Sequence, residues 1–175
     1  PKLIGVIICL YTGLRIGELL ALEWKDIDFT KGIISISKSC HYGHDENGDY
    51  KRFTDTPKTS HSIRNIPLPK QLISLLKQLK KNTDSQYVVS ENGNPIAVRS
   101  YQRSFELLQK RLKLKKRGFH ALRHTFATRA IECGMDIKTL AEILGHKNST
   151  ITLNRYAHSL MEHKIEMMNR IGKLL

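Results

Sequence analysis

The sequence has no long apolar run and few cysteines. No stretch reaches the roughly 18–20 apolar residues of a membrane-spanning helix, and no signal-peptide pattern is visible. The cysteines Cys9, Cys40 and Cys133 are odd in number and have neither metal-ligand nor redox spacing. These absences argue against a membrane-spanning protein, a disulfide-stabilised secreted domain and a cysteine-based metal site. They predict three reduced thiols in a cytoplasmic protein.

Acidic residues are also scarce, with 16 Asp and Glu against 29 Lys and Arg, so the net charge is +13. A charge this large predicts a polyanionic partner. A membrane surface is the alternative, but the basic residues are spread over many segments rather than gathered on one amphipathic helix. Nucleic acid is therefore favoured.

The 175 residues, 40% of them hydrophobic, are enough for one domain with a core. The chain begins at Pro1 without an initiator Met and runs straight into an apolar stretch. We interpret it as an excised domain.

The first half of the chain predicts helices around a small antiparallel sheet. Helical spacing covers residues 2–11, 16–22 and 71–80, and strand patterns cover 32–37, 51–56, 62–67 and 87–90. Residues 51–56 and 62–67 are predicted to form a hairpin around Lys58. Residues 41–50 are polar, with a turn at Asn47-Gly48.

The second half is predicted to be entirely helical. Helices are expected over 100–112 and 120–133, then from a cap at Asp136 to a stop at Gly145. A further helix capped by Ser149 or Thr150 is expected to reach about His158, and a last one to cover 160–174. The predicted fold class is mainly α with a small antiparallel sheet.

Arg15 follows a Gly and begins an apolar helix. A cation is disfavoured at the positive end of a helix, but the position suits a bound phosphate, which both Arg and helix N-termini favour. Glu18 lies one turn on and can orient the guanidinium. The alternatives are a surface arginine and a solvent-facing acid.

Three further short segments carry residues suited to phosphate chemistry. His120 and Arg123 are three apart and share a helix face, His146 follows a predicted helix end, and Tyr156 comes ten residues later. Each has a plain alternative, namely a surface His and Arg, a capping His and a core Tyr.

The segment around Lys58 combines Lys, Thr, Ser and Arg, which is typical of a phosphate-contacting loop. The residues predicted to contact DNA are Lys58, Thr59, Arg64, Arg129 and Lys147. Residues 45–49 are faintly similar to a calcium loop but lack the full ligand spacing and the closing Glu. A solvated turn is favoured there, and no metal site is predicted.

Taken in order, these segments resemble those of the tyrosine recombinases, also called phage-type integrases. The resemblance lies in Thr12-Gly13-Leu14-Arg15-Ile16-Gly17-Glu18-Leu19, His120-Ala121-Leu122-Arg123-His124, Leu144-Gly145-His146 and Asn154-Arg155-Tyr156, with Lys58 before Arg64-Asn65-Ile66-Pro67-Leu68. It spans nearly the whole chain. It implies the DNA breaking-rejoining fold of the recombinase catalytic domain, with all six catalytic positions retained.

The resemblance implies strand cleavage through a covalent 3′-phosphotyrosine. Tyr156 would be the nucleophile, Arg15 and Arg123 would hold the phosphate oxygens, and His146 would add a donor. Lys58 would protonate the leaving 5′-oxygen, and His120 would act as a general base or bind phosphate. Neither a metal nor another cofactor is required.

The resemblance also implies double-stranded DNA as the partner and integration or excision of a mobile element as the activity. The last helix carries an apolar stripe that would dock on a neighbouring subunit in a tetramer or fold back on its own core. An N-terminal core-binding domain, and any arm-binding domain, would be absent from this chain. Accessory excision or DNA-bending proteins and a nucleoid-associated location in the bacterial cytoplasm are further expectations.

Two other functions fit parts of this pattern. One is relaxation of DNA by a type IB topoisomerase-like enzyme, which uses a similar phosphotyrosine site but acts alone. The other is a non-catalytic DNA-binding module with a decayed site. The second predicts loss of at least one key position, and none is lost here.

Overall fold

The computed structural model describes residues 2–55 and 63–173, which form helices around three small antiparallel sheets. The helices are α1 (Lys2–Thr12), α2 (Ile16–Ala21), α3 (Lys70–Lys80), α4 (Val98–Arg111), α5 (His120–Glu132), α6 (Ile137–Leu144) and α7 (Ser149–Gly172). The strands are β1 (Ile27–Asp28), β2 (Ile33–Ile36), β3 (Ser39–His44), β4 (Tyr50–Asp55), β5 (Arg64–Pro67), β6 (Ser90–Glu91) and β7 (Asn94–Pro95), and a 3₁₀ turn covers Trp24–Asp26. The predicted mainly helical class is confirmed.

The strand pairing differs from the predicted hairpin. β4 pairs with β3, whereas β5 pairs with β2, which also pairs with β1. The prediction that 51–56 pairs with 62–67 is therefore wrong, and the strand at Ser39–His44 was not predicted. Stacked rings fix the β3–β4 register, with centroids 5.5 Å apart for His41–Phe53 and 5.8 Å for Tyr42–Tyr50. The tip residue Lys58 lies outside the described residues.

The predicted strand at 87–90 is also wrong in its extent. Ser90 and Glu91 pair with Pro95 and Asn94, and Tyr87 contributes an isolated bridge to Glu23. The Asn92-Gly93 turn joins the two short strands, and both residues adopt the positive φ that a two-residue hairpin turn needs.

Two hydrophobic clusters hold the helices together. The larger joins α1 and α2 to the sheet and α3 through fully buried side chains such as Ile8, Leu19, Ile34 and Leu76. The smaller joins α5, α6 and α7 and includes Ala127, Ile131, Leu140, Leu144 and Tyr156. Each fully buried Leu or Ile contributes about 1.5–3 kcal/mol. Packing of the smaller cluster brings Tyr156 against α5.

The helix ends show which local signals decide the boundaries. Asp136 caps α6 by accepting from the Thr139 amide at 2.9 Å, and Gly145 ends that helix, as predicted. The cap of α7 is Asn148, whose side chain accepts from the Thr150 amide, so the prediction of Ser149 or Thr150 is wrong.

Two helices were predicted in this part of the chain, and α7 holds two helical segments that meet at a kink on Tyr156, earlier than the boundary predicted after about His158. It runs from Ser149 to Gly172 with non-helical dihedrals at Tyr156 (φ −116°, ψ 18°). No Gly or Pro lies between His158 and Leu160 to end the helix. The kink therefore falls on Tyr156 instead of breaking the helix after it.

The described ranges, residues 2–55 and 63–173, lack two features of other classes of protein. None of their helices is long and apolar enough to cross a membrane, and no group of three His, Cys, Asp or Glu side chains is placed there to hold a metal ion. Asp45 accepts from the amides of Asn47 and Asp49 and pairs with Lys51. These contacts account for Asp45 as a turn residue.

Candidate active site

The C-terminus of α6 gathers three arginines from distant parts of the chain. Each donates to a different carbonyl at the end of this helix: Arg64 Nε to Ile143 at 2.5 Å, Arg123 Nη2 to Leu144 at 2.6 Å and Arg15 Nη2 to Gly145 at 3.3 Å. The last carbonyls of a helix lack helical partners and carry partial negative charge. The end of α6 therefore organises a cluster of positive charge immediately before His146.

Two glycines make this convergence possible. Gly145 has φ 64°, and a Cβ there would lie 2.9 Å from Arg64 Nη1, so a larger residue would be both strained and crowded. Gly13, with φ 66°, turns the chain from α1 towards α2 and presents its carbonyl to Arg123 Nη1 at 2.9 Å. Both glycines turn the backbone, and the carbonyl of each accepts a hydrogen bond from an arginine.

A buried carboxylate links two of these arginines. The Glu18 carboxylate accepts from the two terminal nitrogens of Arg64, Nη1 at 3.0 Å and Nη2 at 2.9 Å. It also accepts from Arg15 Nη1 at 2.9 Å. The side chains of Glu18 and Arg64 are 4% and 6% exposed. Burial alone would raise the pKa of Glu18, but the hydrogen bonds and positive charge of Arg64, and then Arg15, hold the pKa below its ordinary value. The predicted contact between Glu18 and Arg15 is present.

We expect Glu18→Gln to lower the free energy of unfolding by about 3–5 kcal/mol, because it leaves a buried guanidinium without its counter-charge. Urea unfolding measures this loss. Since the pKa of Glu18 is lower in the folded chain, its stabilisation is full above the ordinary carboxyl pKa of about 4.3 and is lost as pH falls through the folded pKa.

A matched control is Glu132→Gln, which removes the exposed partner of Arg129. It should change stability by less than about 1 kcal/mol. Equal losses in the two variants would contradict a structural role for the buried pair.

Arg123 lies at the centre of the site. Its Nη2 lies 2.9 Å from His146 Nε2, and His146 Nδ1 lies 2.7 Å from Thr152 Oγ1. Because a guanidinium can only donate, Nε2 accepts and the ring proton lies on Nδ1, which donates to Thr152. Burial, and then the charges of Arg15 and Arg64, lower the pKa of Arg123 to about 9 against the opposing charge of Glu18. Arg123 stays charged at neutral pH, and a bound anion would be strongly favoured beside it.

The phenol of Tyr156 lies against the same helix that carries Arg123. Tyr156 is 6% exposed, and its Oη lies 2.9 Å from His124 Nδ1. The rings of His120 and His124 meet edge to face, 4.7 Å between centroids. The first turns of α5 thus present two imidazoles and a guanidinium, and the Tyr156 phenol meets one of these imidazoles.

The predicted DNA contacts fall in different surroundings. Arg129 is exposed on α5 with Glu132 as its partner at 2.7 Å, and Lys147 is exposed after α6. Arg64, by contrast, is buried on Glu18, which favours an internal positioning role. Lys58 and Thr59 lie in the undescribed segment 56–62.

Sequence reasoning missed two residues of the site, His124 and Thr152. His124 follows His120 by four residues, so helical periodicity alone places it on the same face. No sequence pattern pointed to Thr152, because its contact with His146 depends on how α7 packs against the end of α6.

Comparison with known proteins agrees with this geometry. The model of the phage integrase family matches residues 2–163. A tyrosine recombinase XerC-like protein of Caldanaerobacter subterraneus is 35% identical, over 93% of this chain and 47% of the relative. The transposase of transposon Tn916 from Enterococcus faecalis is 30% identical, over 96% of this chain and 45% of the relative. The chain thus spans about half the length of these relatives.

Solved structures give the same result. The Tn1549 transposon integrase in complex with transposon right end DNA superposes with a TM-score of 0.79 at 31% identity, over 97% of this chain and 58% of that chain. The XerA recombinase superposes with a TM-score of 0.69 at 26% identity, over 93% of this chain and 57% of that chain. The chain therefore belongs to the phage integrase family and has the fold of a tyrosine recombinase catalytic domain.

Proposed function

We propose that this chain is the catalytic domain of a tyrosine-type site-specific recombinase, which integrates or excises a mobile element. It would cut and rejoin DNA strands through a covalent 3′-phosphotyrosine. The observation that carries the proposal is the arginine cluster at the end of α6 beside the Tyr156 phenol. Arg15, Arg64 and Arg123 with the single carboxylate of Glu18 leave two net positive charges, which suit a phosphodiester.

Arg15 and Arg123 are the proposed clamp on the scissile phosphate. Their guanidiniums would donate to its non-bridging oxygens, and these charge-assisted bonds strengthen as negative charge develops in the transition state. His146 would add a donor. In the structure its Nε2 accepts from Arg123, so donation to phosphate requires a proton on Nε2, while Thr152 keeps hold of Nδ1.

Tyr156 is the proposed nucleophile, and Lys58 the proposed acid for the leaving 5′-oxygen. His120, exposed at the start of α5, is proposed to bind the phosphate or move protons beside it. The phosphotyrosine conserves the energy of the broken phosphodiester. Rejoining by a 5′-hydroxyl therefore needs no nucleotide cofactor and no metal.

Double-stranded DNA is the proposed substrate. The net charge of +13 suits a polyanion, and the Tn1549 integrase binds transposon DNA. We propose Arg129, Lys147, Lys58 and Thr59 as backbone contacts, and Arg64 as the residue that positions Glu18.

For the whole protein we propose an N-terminal core-binding domain on the far side of the duplex. In some elements an arm-binding domain of the same protein, and accessory excision or DNA-bending proteins, would complete the complex. The proposed location is the bacterial cytoplasm, at the nucleoid.

A tetramer on DNA, joined through α7, is the proposed assembly. Four members of the apolar stripe on this helix are exposed: Met161, Ile165, Met168 and Ile171. Their spacing of three or four residues places them on one face. Exposure of this face favours docking on a neighbouring subunit over folding back on its own core.

We expect Ile165→Glu with Met168→Glu to reduce the number of chains per DNA duplex, because charges would face an apolar docking site. Native mass spectrometry of the protein–DNA complex measures the stoichiometry. Asn169→Glu, a charge on an exposed position of the same helix, is the matched control and should leave it unchanged. Full assembly of the double variant would exclude this helix from the interface.

The proposed function is tested by covalent capture. The substrate is a pool of duplexes with a randomised central segment, each nicked so that the short cleaved fragment diffuses away and rejoining fails. At low salt, the protein should form an adduct that survives denaturing electrophoresis, and sequencing the captured DNA defines the site. DNA binding without any adduct would instead support a non-catalytic binding module, and relaxation of supercoiled plasmid by single subunits would support the topoisomerase-like alternative.

A further inference from the structure

The hydroxyl of Tyr156 meets an imidazole that the motif-based assignment left without a role. His124 Nδ1 lies 2.9 Å from Tyr156 Oη, with the ring centroids 6.0 Å apart. We propose that His124 is a catalytic residue that takes the proton of Tyr156 during cleavage and returns it during rejoining. This inference rests on the proposed function, in which Tyr156 is the nucleophile.

The proposed step balances without a further reactant. As the Tyr156 Oη–H bond breaks, its proton moves to His124 Nδ1 and a bond forms between Oη and phosphorus. The bond from phosphorus to the 5′-oxygen breaks, and that oxygen takes a proton from the acid assigned to Lys58. In rejoining, the 5′-hydroxyl bonds to phosphorus and returns its proton to the group assigned to Lys58, the phosphotyrosine bond breaks, and His124 protonates the departing phenolate.

The placement of His124 suits a base. A free phenol has a pKa near 10, whereas a free imidazole, with a pKa near 6.5, is largely neutral and able to accept at pH 7. A general base must lie within about 2.6–3.2 Å of the atom that it deprotonates, and His124 does. Tyr156 as a whole residue is almost fully buried, at 6% exposure.

His124 also has a route for releasing the proton. It is half-buried and lines an open groove with Arg117, Thr128, Arg129 and Glu132. The titratable and charged groups that face it from the described side chains are therefore these arginines, Glu132, His120 and Tyr156 itself. The His120 ring lies edge to face against it, with the ring centroids 4.7 Å apart.

A purely structural role for His124 predicts a different result from a proton-transfer role. His124→Asn can place an amide oxygen near the position of Nδ1, where it still accepts the hydrogen bond from Tyr156. An amide does not take up a proton at neutral pH. If His124 only holds the phenol in place, cleavage should survive this substitution. If His124 is the base, cleavage should be lost.

The experiment measures the single-turnover rate of adduct formation on the captured nicked duplex from about pH 5.5 to 8, a range that spans the ordinary histidine pKa. Wild type, His124→Asn, His124→Ala and Tyr156→Phe are compared, with thermal unfolding as the check on folding. For wild type the rate should rise with pH as the base loses its proton. For His124→Asn we expect a fall of about 10²-fold or more and loss of that rise. Added imidazole should partly restore the rate of His124→Ala.

The outcomes separate this inference from the proposed function. A His124→Asn rate within about threefold of wild type, with the same rise with pH, is far below the usual effect of a general base and would overturn the inference alone. A slow His124→Asn whose pH profile is unchanged, with no rescue of His124→Ala by imidazole, would also overturn it. No adduct from wild type at any pH would overturn the proposed function and the inference with it.

Discussion

Tyr156→Phe should abolish the covalent adduct, with a loss of cleavage of about 10⁴-fold or more, as expected for removal of a nucleophile. The variant lacks only the hydroxyl that lies within hydrogen-bond distance of His124 Nδ1. The phenyl ring still fills the cluster formed with Ala127, Ile131 and Leu144. Stability should therefore change by no more than the net value of one hydrogen bond, about 0.5–1.5 kcal/mol. Denaturing electrophoresis measures the adduct, and a filter-binding titration measures DNA affinity, which should stay at the wild-type value.

The other tyrosines offer a control for this variant. Tyr50→Phe removes a hydroxyl from an exposed ring that stacks on Tyr42 in the β3–β4 ribbon. Tyr87 lies under Arg52 and Tyr101 packs on Phe119, so neither is placed at the end of α6. Tyr50→Phe should form the adduct at the wild-type rate. An adduct that persists in Tyr156→Phe would move the nucleophile to one of these rings or to Tyr11.

Local signals in the sequence predicted the helices well and the strand pairing poorly. Asp136 and Gly145 mark the ends of α6 because capping and positive φ are decided within a few residues. Pairing is not local, since Ile34 and Ile66 are partners across an intervening ribbon. The hydrophobic pattern of 51–56 and 62–67 is compatible with either partner. The choice depends on Arg64 and Ile66 turning inwards beside β2.

The site shows the same division between residue identity and geometry. The proposed catalytic set follows from a family resemblance in the short segments around Arg15, Arg123 and Tyr156, and no single segment would have suggested it. The contacts within the set depend on tertiary packing. Glu18 and Arg64 are 46 residues apart and His124 and Tyr156 are 32 apart, so no periodicity predicts either contact. The burial of Arg64 could likewise not be predicted from the sequence, because a basic residue after a loop usually lies on the surface.

Arg123→Lys should reduce cleavage by about 10²–10³-fold, the usual cost of losing one preorganised donor to a developing oxyanion. Wild-type Arg123 reaches the Gly13 carbonyl, the Leu144 carbonyl and His146 Nε2 with a single planar group. A lysine ammonium is a compact point charge without the planar fork of a guanidinium. It cannot span these three acceptors and also face the phosphate. The single-turnover rate of adduct formation on saturating nicked duplex measures the loss.

The pH dependence of Arg123→Lys distinguishes lost geometry from lost charge. Burial already lowers the pKa of Arg123 to about 9, and a lysine starts from a lower ordinary pKa of about 10.4, so its charge should be lost at a lower pH. If charge alone mattered, lowering the pH would bring the rate of Arg123→Lys back to that of wild type at the same pH. If geometry matters, the deficit should persist at every pH. Arg103→Lys, which alters an exposed guanidinium on α4 outside the proposed DNA contacts, should cleave within about threefold of wild type, because an exposed charge of this kind contributes little. Equal losses at both positions would mean that the contacts of Arg123 with the carbonyls at the end of α6 do not set the rate.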